Sequence, residues 1–329
     1  PSKNFNTVLY TGDGTSGRDI VSGVDADMVW IKSRNHTYSN EIFDSVRGVT
    51  KRLITNSTAA ESTKSGVTAF NTNGFELGSN ASENADTKTY VAWNWKANGS
   101  GSSNTAGDIN STVSVNTDAG FSIVKYTGSG TTGNSVGHGL GVIPDAIFIK
   151  SLETQSWNCW FFNSSMGATK TMQLDNTSAA FDASWLHDTM PTSSVFYLGA
   201  GAATNAGNGF IAYCFKSIDG YSAVGSYTGN GVADGPFVST SFAPAFVLTK
   251  VINAVDDWSI ADYARSPHNV AGESLRPNSA SAEDSAADID ILSNGFKVRQ
   301  ADSHRINYSG DTFIYIAFAS VPFKFGNAR

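Results

Sequence analysis

Charged side chains are scarce, at 16% of the sequence against about a quarter in an ordinary globular chain. The net charge is −7 and Lys and Arg form no run. That argues against a nucleic-acid platform, which gathers cations on one face. Only two cysteines occur, Cys159 and Cys214, both in the middle third, so no disulfide framework is expected and two small core thiols are. No stretch reaches the ~18 apolar residues of a membrane span, and no charged-then-apolar leader opens the sequence. The five histidines (His36, His138, His187, His268, His304) make no ligand-spaced pair with one another or with cysteine, so solvated loop positions are expected for them.

Gly, Ser, Thr and Asn fill the space that charge leaves. This mixture suits many short strands joined by turns, because Gly and Asn reach φ > 0 while Ser and Thr cap and line edges. The order of these residues matters more than their number, because the chain is an internal repeat. Tyr-Thr-Gly-x-Gly starts at Tyr10, Tyr126 and Tyr227. Each copy is followed by a strand ending in lysine (Met28–Lys32, Ala146–Lys150, Phe246–Lys250), then an Asn-led loop (Asn56, Asn176, Asn278), then an aromatic strand from Tyr90, Phe210 or Phe313.

In the first aromatic strand Val91, Trp93 and Trp95 alternate with Tyr90, Ala92 and Asn94. The matching residues Ile211, Tyr213, Phe215 and Ile314, Ile316, Phe318 keep one face large and apolar. A period of two with one large face predicts a half-buried strand of a sandwich. Asn73-Gly74 and Asn294-Gly295 between apolar flanks predict hairpins, and the second block has Ser194-Val195 there instead. Short helical turns are possible near 58–63 and 279–287. The reading is an all-β chain of three tandem β-sandwiches, lectin-like or jelly-roll-like, each about 95 residues. Their expected bounds are 1–97, 121–218 and 219–329, with a Gly/Ser/Asn-rich linker at 98–120 whose second half alternates like a strand. Three separate cores stacked end to end would span on the order of 100 Å.

Few motifs carry chemistry. Gly12-Asp-Gly14-Thr-Ser-Gly17 and Gly128-Ser-Gly130-Thr-Thr-Gly133 match G-x-G-x-x-G, but a strand pattern follows rather than a helix, so no cofactor is expected. Asp25, Asp27, Glu283, Asp284, Asp288 and Asp290 lack an EF-hand pattern and are expected to be solvated or capping carboxylates, so no metal site is assigned. No nucleophile elbow and no recurring acid pair occurs, so no catalytic residue is assigned. Lys32 and Asp44, twelve apart, map onto Lys250 and Asp262, and the second block offers Lys150 and Asn163. A lysine ending an apolar strand needs a polar partner, which predicts two structural ion pairs and a neutral counterpart. The second block also carries Trp157, Trp160, Trp185 and His187 where its siblings differ. Aromatics in a polar loop suit a recognition site, while packing against the sandwich end or a neighbouring block is the competing reading.

Tyr10-Thr-Gly-Asp-Gly, Met28-Val-Trp-Ile-Lys-Ser-Arg34, Phe43-Asp-Ser-Val-Arg-Gly48, Asn73-Gly-Phe75 and Tyr90-Val-Ala-Trp-Asn-Trp-Lys-Ala97 together resemble a β-sandwich domain of bacteriophages. The module is carried, often in tandem, by tail-fibre-like and other virion structural proteins of marine phages. The resemblance implies a non-enzymatic protein on the phage particle, first a tail fibre or appendage contacting the host. The alternative is a capsid decoration or head-surface fibre protein, and an array of carbohydrate-binding modules comes third. The implied partners are other tail or capsid proteins and a host glycan or protein. Nucleic acid and membrane insertion are not expected, and a homo-oligomer or multi-copy arrangement is. The absence of a heptad run favours decoration or direct docking over a coiled-coil stalk.

Overall fold

The computed structural model describes residues 3–285 and 288–319. It is all-β. Among the described residues helical structure is confined to Ala81–Asn84 and the 3-10 turn Ser184–Leu186. Where a helical turn was possible near 58–63, Ser62–Thr63 is a strand; residues 286 and 287 of the other candidate lie outside the described residues.

Each third builds one principal antiparallel sheet on the same plan. An opening strand (Phe5–Thr11, Phe121–Thr127, Ser222–Thr228) lies beside a closing strand (Thr89–Trp95, Gly209–Phe215, Thr312–Phe318). Next come a lysine strand (Met28–Ser33, Ala146–Ser151, Phe246–Val251) and a return strand (Glu41–Asp44, Trp157–Phe161, Ser259–Asp262). The registers superpose. Trp95, Phe215 and Phe318 face Phe5, Phe121 and Ser222 on one side, and Met28, Ala146 and Phe246 on the other. A smaller sheet covers one face, led by a flank strand (Arg18–Val21, Ser135–Gly137, Phe237–Ser239) paired with Gly74–Leu77, Val195–Tyr197 or Gly295–Val298. The first and third of these partners follow the predicted hairpins. Their glycines serve the sheet more than the turn: a methyl on Gly74 would overlap the Ile20 carbonyl, and one on Gly295 the Val238 carbonyl. Asn73 supplies the left-handed residue of the first turn, at φ 68.

The segment 98–120 is not a free linker. Ser102–Asn104 and Ser111–Asn116 form a hairpin that joins the second principal sheet along Phe121–Thr127, widening it to eight strands.

The closing strands are buried on both faces, not one. The smaller faces (Tyr90 and Ala92; Phe210, Ala212 and Cys214; Tyr315 and Ala317) look into the three sandwiches and fill three local cores. The large faces look outward. Trp93, Trp95, Tyr213, Phe215, Ile316 and Phe318, expected inside separate sandwiches, meet in one shared core with Phe5, Phe121, Phe148 and Phe246. Phe5 stacks on Phe318 at 5.2 Å between ring centroids, and Phe215 lies 5.9 Å from the same ring. Burying a large apolar side chain contributes roughly 1.5–3 kcal/mol, so faces this large cannot be left to solvent. The three sandwiches therefore close into a ring rather than a row.

Register-equivalent hydrogen bonds close that ring. Trp157 Nε1 donates to Ile54 O at 2.8 Å, from the second repeat to the first. Trp258 Nε1 donates to Gln173 O at 2.9 Å, from the third to the second. Asn40 Nδ2 donates to Arg276 O at 3.0 Å, from the first to the third. Arg34 adds a two-pronged bond to Glu283, at 2.8 and 2.9 Å, across that last seam. The molecule is a pseudo-threefold trimer made from one chain.

Candidate functional site

The repeated Tyr-Thr-Gly phrase is a clamp on a loop of its own repeat. Tyr10, Tyr126 and Tyr227 donate their hydroxyls to Glu83 O, Thr204 O and Ile306 O at 2.8, 2.8 and 2.9 Å. The amides of Asp13, Ser129 and Asn230 then donate to the side-chain oxygens of Asn84, Asn205 and Asn307. All three asparagines are fully buried. The first glycine is required because a methyl at Gly12, Gly128 or Gly229 would overlap the carbonyl of Ala85, Ala206 or Tyr308. Sequence reading passed over these asparagines, although each precedes its aromatic strand by five or six residues. Strands Arg18–Val21 and Ser135–Gly137, not helices, follow the two G-x-G-x-x-G segments.

The expected lysine–aspartate pairs do not form. Met28 faces Asp44 and Phe246 faces Asp262, so Lys32 and Lys250 sit four residues farther along, about 13 Å away. Each lysine is instead held by carbonyls. Lys32 Nζ donates to Ser33 O, His36 O and Ala280 O at 2.8, 3.3 and 3.2 Å, the last from the third repeat. Lys150 reaches Ser151 O and Glu153 O at 2.8 and 2.9 Å, and Thr58 O of the first repeat at 3.5 Å. Lys250 bonds Val251 O at 2.9 Å and Ala254 O at 3.5 Å. Burial pushes all three down to about 8.

The aspartates face their own arginines and a neighbouring repeat. Asp44 accepts from Arg47 Nε and, at 2.7 Å, from the Tyr213 hydroxyl of the second repeat. Asp262 accepts from Arg265 Nε at 2.6 Å and from Trp93 Nε1 of the first repeat at 3.0 Å. Burial, then the Asp44 charge, pushes the Tyr213 hydroxyl well above its ordinary range. In the second repeat Phe161 faces Ala146, so Phe161 and not Asn163 matches the aspartates. Its counterpart on the facing closing strand is Ile316, so acceptor and donor are apolar together. Exposed Asn163 donates to Val224 O at 2.6 Å.

The four residues expected to form a recognition loop do not come together. Trp157 and Trp160 lie in a return strand, both fully buried, Trp157 in the shared core and Trp160 in the second local core. Trp185 is half-buried, edge-on to Phe181 at 5.6 Å, with its flank against the second local core. Only His187 is exposed, in the left-handed conformation at φ 54. His138, expected in solvent, is buried with Nε2 3.1 Å from Thr192 O, and burial pushes its pKa down.

A groove that sequence reading missed lies at the end of the first sandwich. Its volume is about 600 Å³, and Asp25, Asp27, Phe70, Asn71, Lys96 and Asn98 are among its walls. Asp27 braces its floor by accepting the amides of Ala97 and Gly99 at 2.8 and 2.9 Å, while burial pushes its pKa up. Asp25 pairs with Lys96 at 2.9 Å at the rim. A half-buried ring, two amides and an ion pair can hold a ligand rich in hydroxyls. The residues converge from three separate segments, which is why no local motif announced them.

Among the described residues no group of three or more His, Cys, Asp or Glu side chains is placed to hold a metal ion. Both cysteines are buried and unpaired. No helix of the described residues is long and apolar enough to cross a membrane. No curated protein and no solved structure matches the chain. A family model described as domain of unknown function DUF7483 matches residues 1–322, running through all three repeats of the ring, and the chain belongs to that family.

Proposed function

We propose that this chain is a non-enzymatic structural protein of the bacteriophage particle, an appendage or tail-fibre subunit that contacts the host. The groove at the end of the first sandwich carries this reading. It offers Phe70, Asn71, Asn98 and the Asp25–Lys96 pair to solvent on a frame braced by the shared core. A ring and an amide on the strand Val67–Asn71, with a second amide at Asn98 in the loop beyond the closing strand, suit a host glycan better than an apolar ligand. The buried Asp44, Asp262 and lysine sites are bonded within the fold. The purified chain, added to host cells before the phage, should block adsorption, and Phe70→Ala with Lys96→Ala should lose that block while folding normally. Full competition by the double variant, or no competition by the intact chain, would refute the reading.

The pseudo-threefold ring favours one second reading, decoration of a capsid at a local threefold position, where one chain would meet three equivalent neighbours. Gold-labelled antibody against the chain decides between them, by lying on the tail or on the head of the particle.

A further inference from the structure

The three principal sheets differ at one edge. In the first repeat Lys96 N donates to Asn4 O at 2.9 Å and Gly12 N to Lys88 O at 2.7 Å. The even-numbered residues of the opening strand therefore bond the closing strand, and Phe5, Thr7, Leu9 and Thr11 turn their backbone groups outward. In the second repeat the equivalent residues are covered by the chain's own hairpin, with Asn116, Ser114 and Thr112 facing Phe121, Ile123 and Lys125. The same segment reaches the smaller sheet, where Ile109 N donates to Ser135 O at 3.0 Å. In the third repeat the edge is stopped at Val224, whose N–H donates to Ser217 Oγ at 3.0 Å and whose carbonyl accepts from Asn163.

Over Thr7 and Leu9 the first repeat has neither device; only at the far end of the edge does Arg18 Nη1 donate to Thr11 O, with the guanidinium 5.8 Å from the Tyr10 ring centroid. Among the described residues no backbone partner meets Thr7 or Leu9 on that side, and the buried Thr7 hydroxyl has none either. Val8 and Tyr10 are half-buried, whereas their equivalents Val124 and Tyr126 beneath the hairpin are buried. Leu9 is 38% exposed, and Val21 at the end of the flank strand 70%. The strand Phe5–Thr11 has no proline, no charged side chain and no bulge in its register, and those are three features that usually protect an edge.

We infer that this edge, opening strand Phe5–Thr11 with flank strand Arg18–Val21, accepts an extended strand from a partner protein, antiparallel and uncharged, with valine-sized residues alternating with serine and threonine. The partner's chemistry follows from the occupant of the equivalent edge, Ser111-Thr-Val-Ser-Val-Asn116, which carries no charge and buries Val113 in its local core. Main-chain bonds supply the attachment, and alternate small side chains cover Val8 and Tyr10. The site stands apart from the groove and does not rest on the host-contact reading.

A synthetic peptide of residues 109–117, blocked at both ends and so uncharged, is the probe, added to the whole chain. Binding at one peptide per chain is expected, read by fluorescence anisotropy. Hydrogen exchange at Thr7 and Leu9 should slow at least tenfold on binding. Leu9→Pro should abolish binding with the fold intact, because that N–H points outward; Thr7→Pro serves the same purpose should the first variant not fold. Three outcomes would overturn the proposal: no binding, binding that survives both prolines, or Thr7 and Leu9 amides already protected in the isolated chain. A concentration-dependent dimer that Leu9→Pro dissolves would also overturn it, by giving the edge to a second copy.

Discussion

Replacing Asp44 with alanine tests whether the three sandwiches are one cooperative body. The carboxylate is fully buried and accepts from Arg47 Nε, from the Arg47 amide at 2.8 Å and from the Tyr213 hydroxyl of the next repeat at 2.7 Å. Its loss leaves a guanidinium with no exposed side-chain surface and a tyrosine without its acceptor. Breaking a buried pair this way costs about 3–5 kcal/mol. Glu61, 3.4 Å from Arg47 Nη1, holds the loss toward the lower end. If all 329 residues unfold together, the unfolding entropy is about 0.7 kcal/mol/K, and the midpoint falls by about 4–7 °C. The third junction supplies the control. Asp44→Phe, Arg47→Ser and Tyr213→Ile together copy Phe161, Ser164 and Ile316, and removing both partners of a buried bond is nearly neutral. The triple variant should recover at least half the lost stability. Scanning calorimetry is the assay, with one transition shifting as a whole. An unchanged midpoint, or several transitions of which only one moves, would refute a shared core.

Three further outcomes follow from the same geometry. The folded pKa of Lys32, Lys150 and Lys250, about 8, lies below the unfolded value of 10.5, so the unfolded chain binds more protons between them. Stability should therefore rise with pH from about 8 toward 10, read as a higher urea midpoint at pH 9.5 than at 7.5, and Lys→Met at all three should flatten the rise. Gly74→Ala should cost roughly 1–3 kcal/mol in urea unfolding although the site is a hairpin edge, because the new methyl meets the Ile20 carbonyl. Trp157→Ala should cost about 3–5 kcal/mol and Trp185→Ala much less, since the first is fully buried and the second half-exposed.

The repeat, its landmark strands and the two Asn-Gly hairpins were legible because each rests on local pattern. The assignment of faces was not. A period of two shows that Trp93 and Trp95 share a side, but not whether that side meets its own sandwich or another one, and here both sides are covered. The lysine–aspartate pairing failed for a related reason: equal spacing in two repeats fixed equivalence, while the register decided contact. Counting along the chain also set Asn163 against Asp44, where strand pairing selects Phe161. The tryptophans of the second repeat looked unusual in sequence because Trp157 serves a seam between repeats, not a surface. The groove and the open edge of the first repeat are assembled from distant segments, and no short motif encodes either.

The shared core also governs how the chain can be made. Phe5, Trp93 and Trp95 leave the ribosome long before Phe246 and Phe318, against which they finally rest. Throughout synthesis of the middle third, the first sandwich can complete its local core but carries an uncovered aromatic wall. A nascent chain of this kind is aggregation-prone until its last strand arrives. Stop codons or slow translation within the final third should therefore yield insoluble product rather than a shorter working protein, and the closing strand Thr312–Phe318 becomes the step that commits the molecule to its native state.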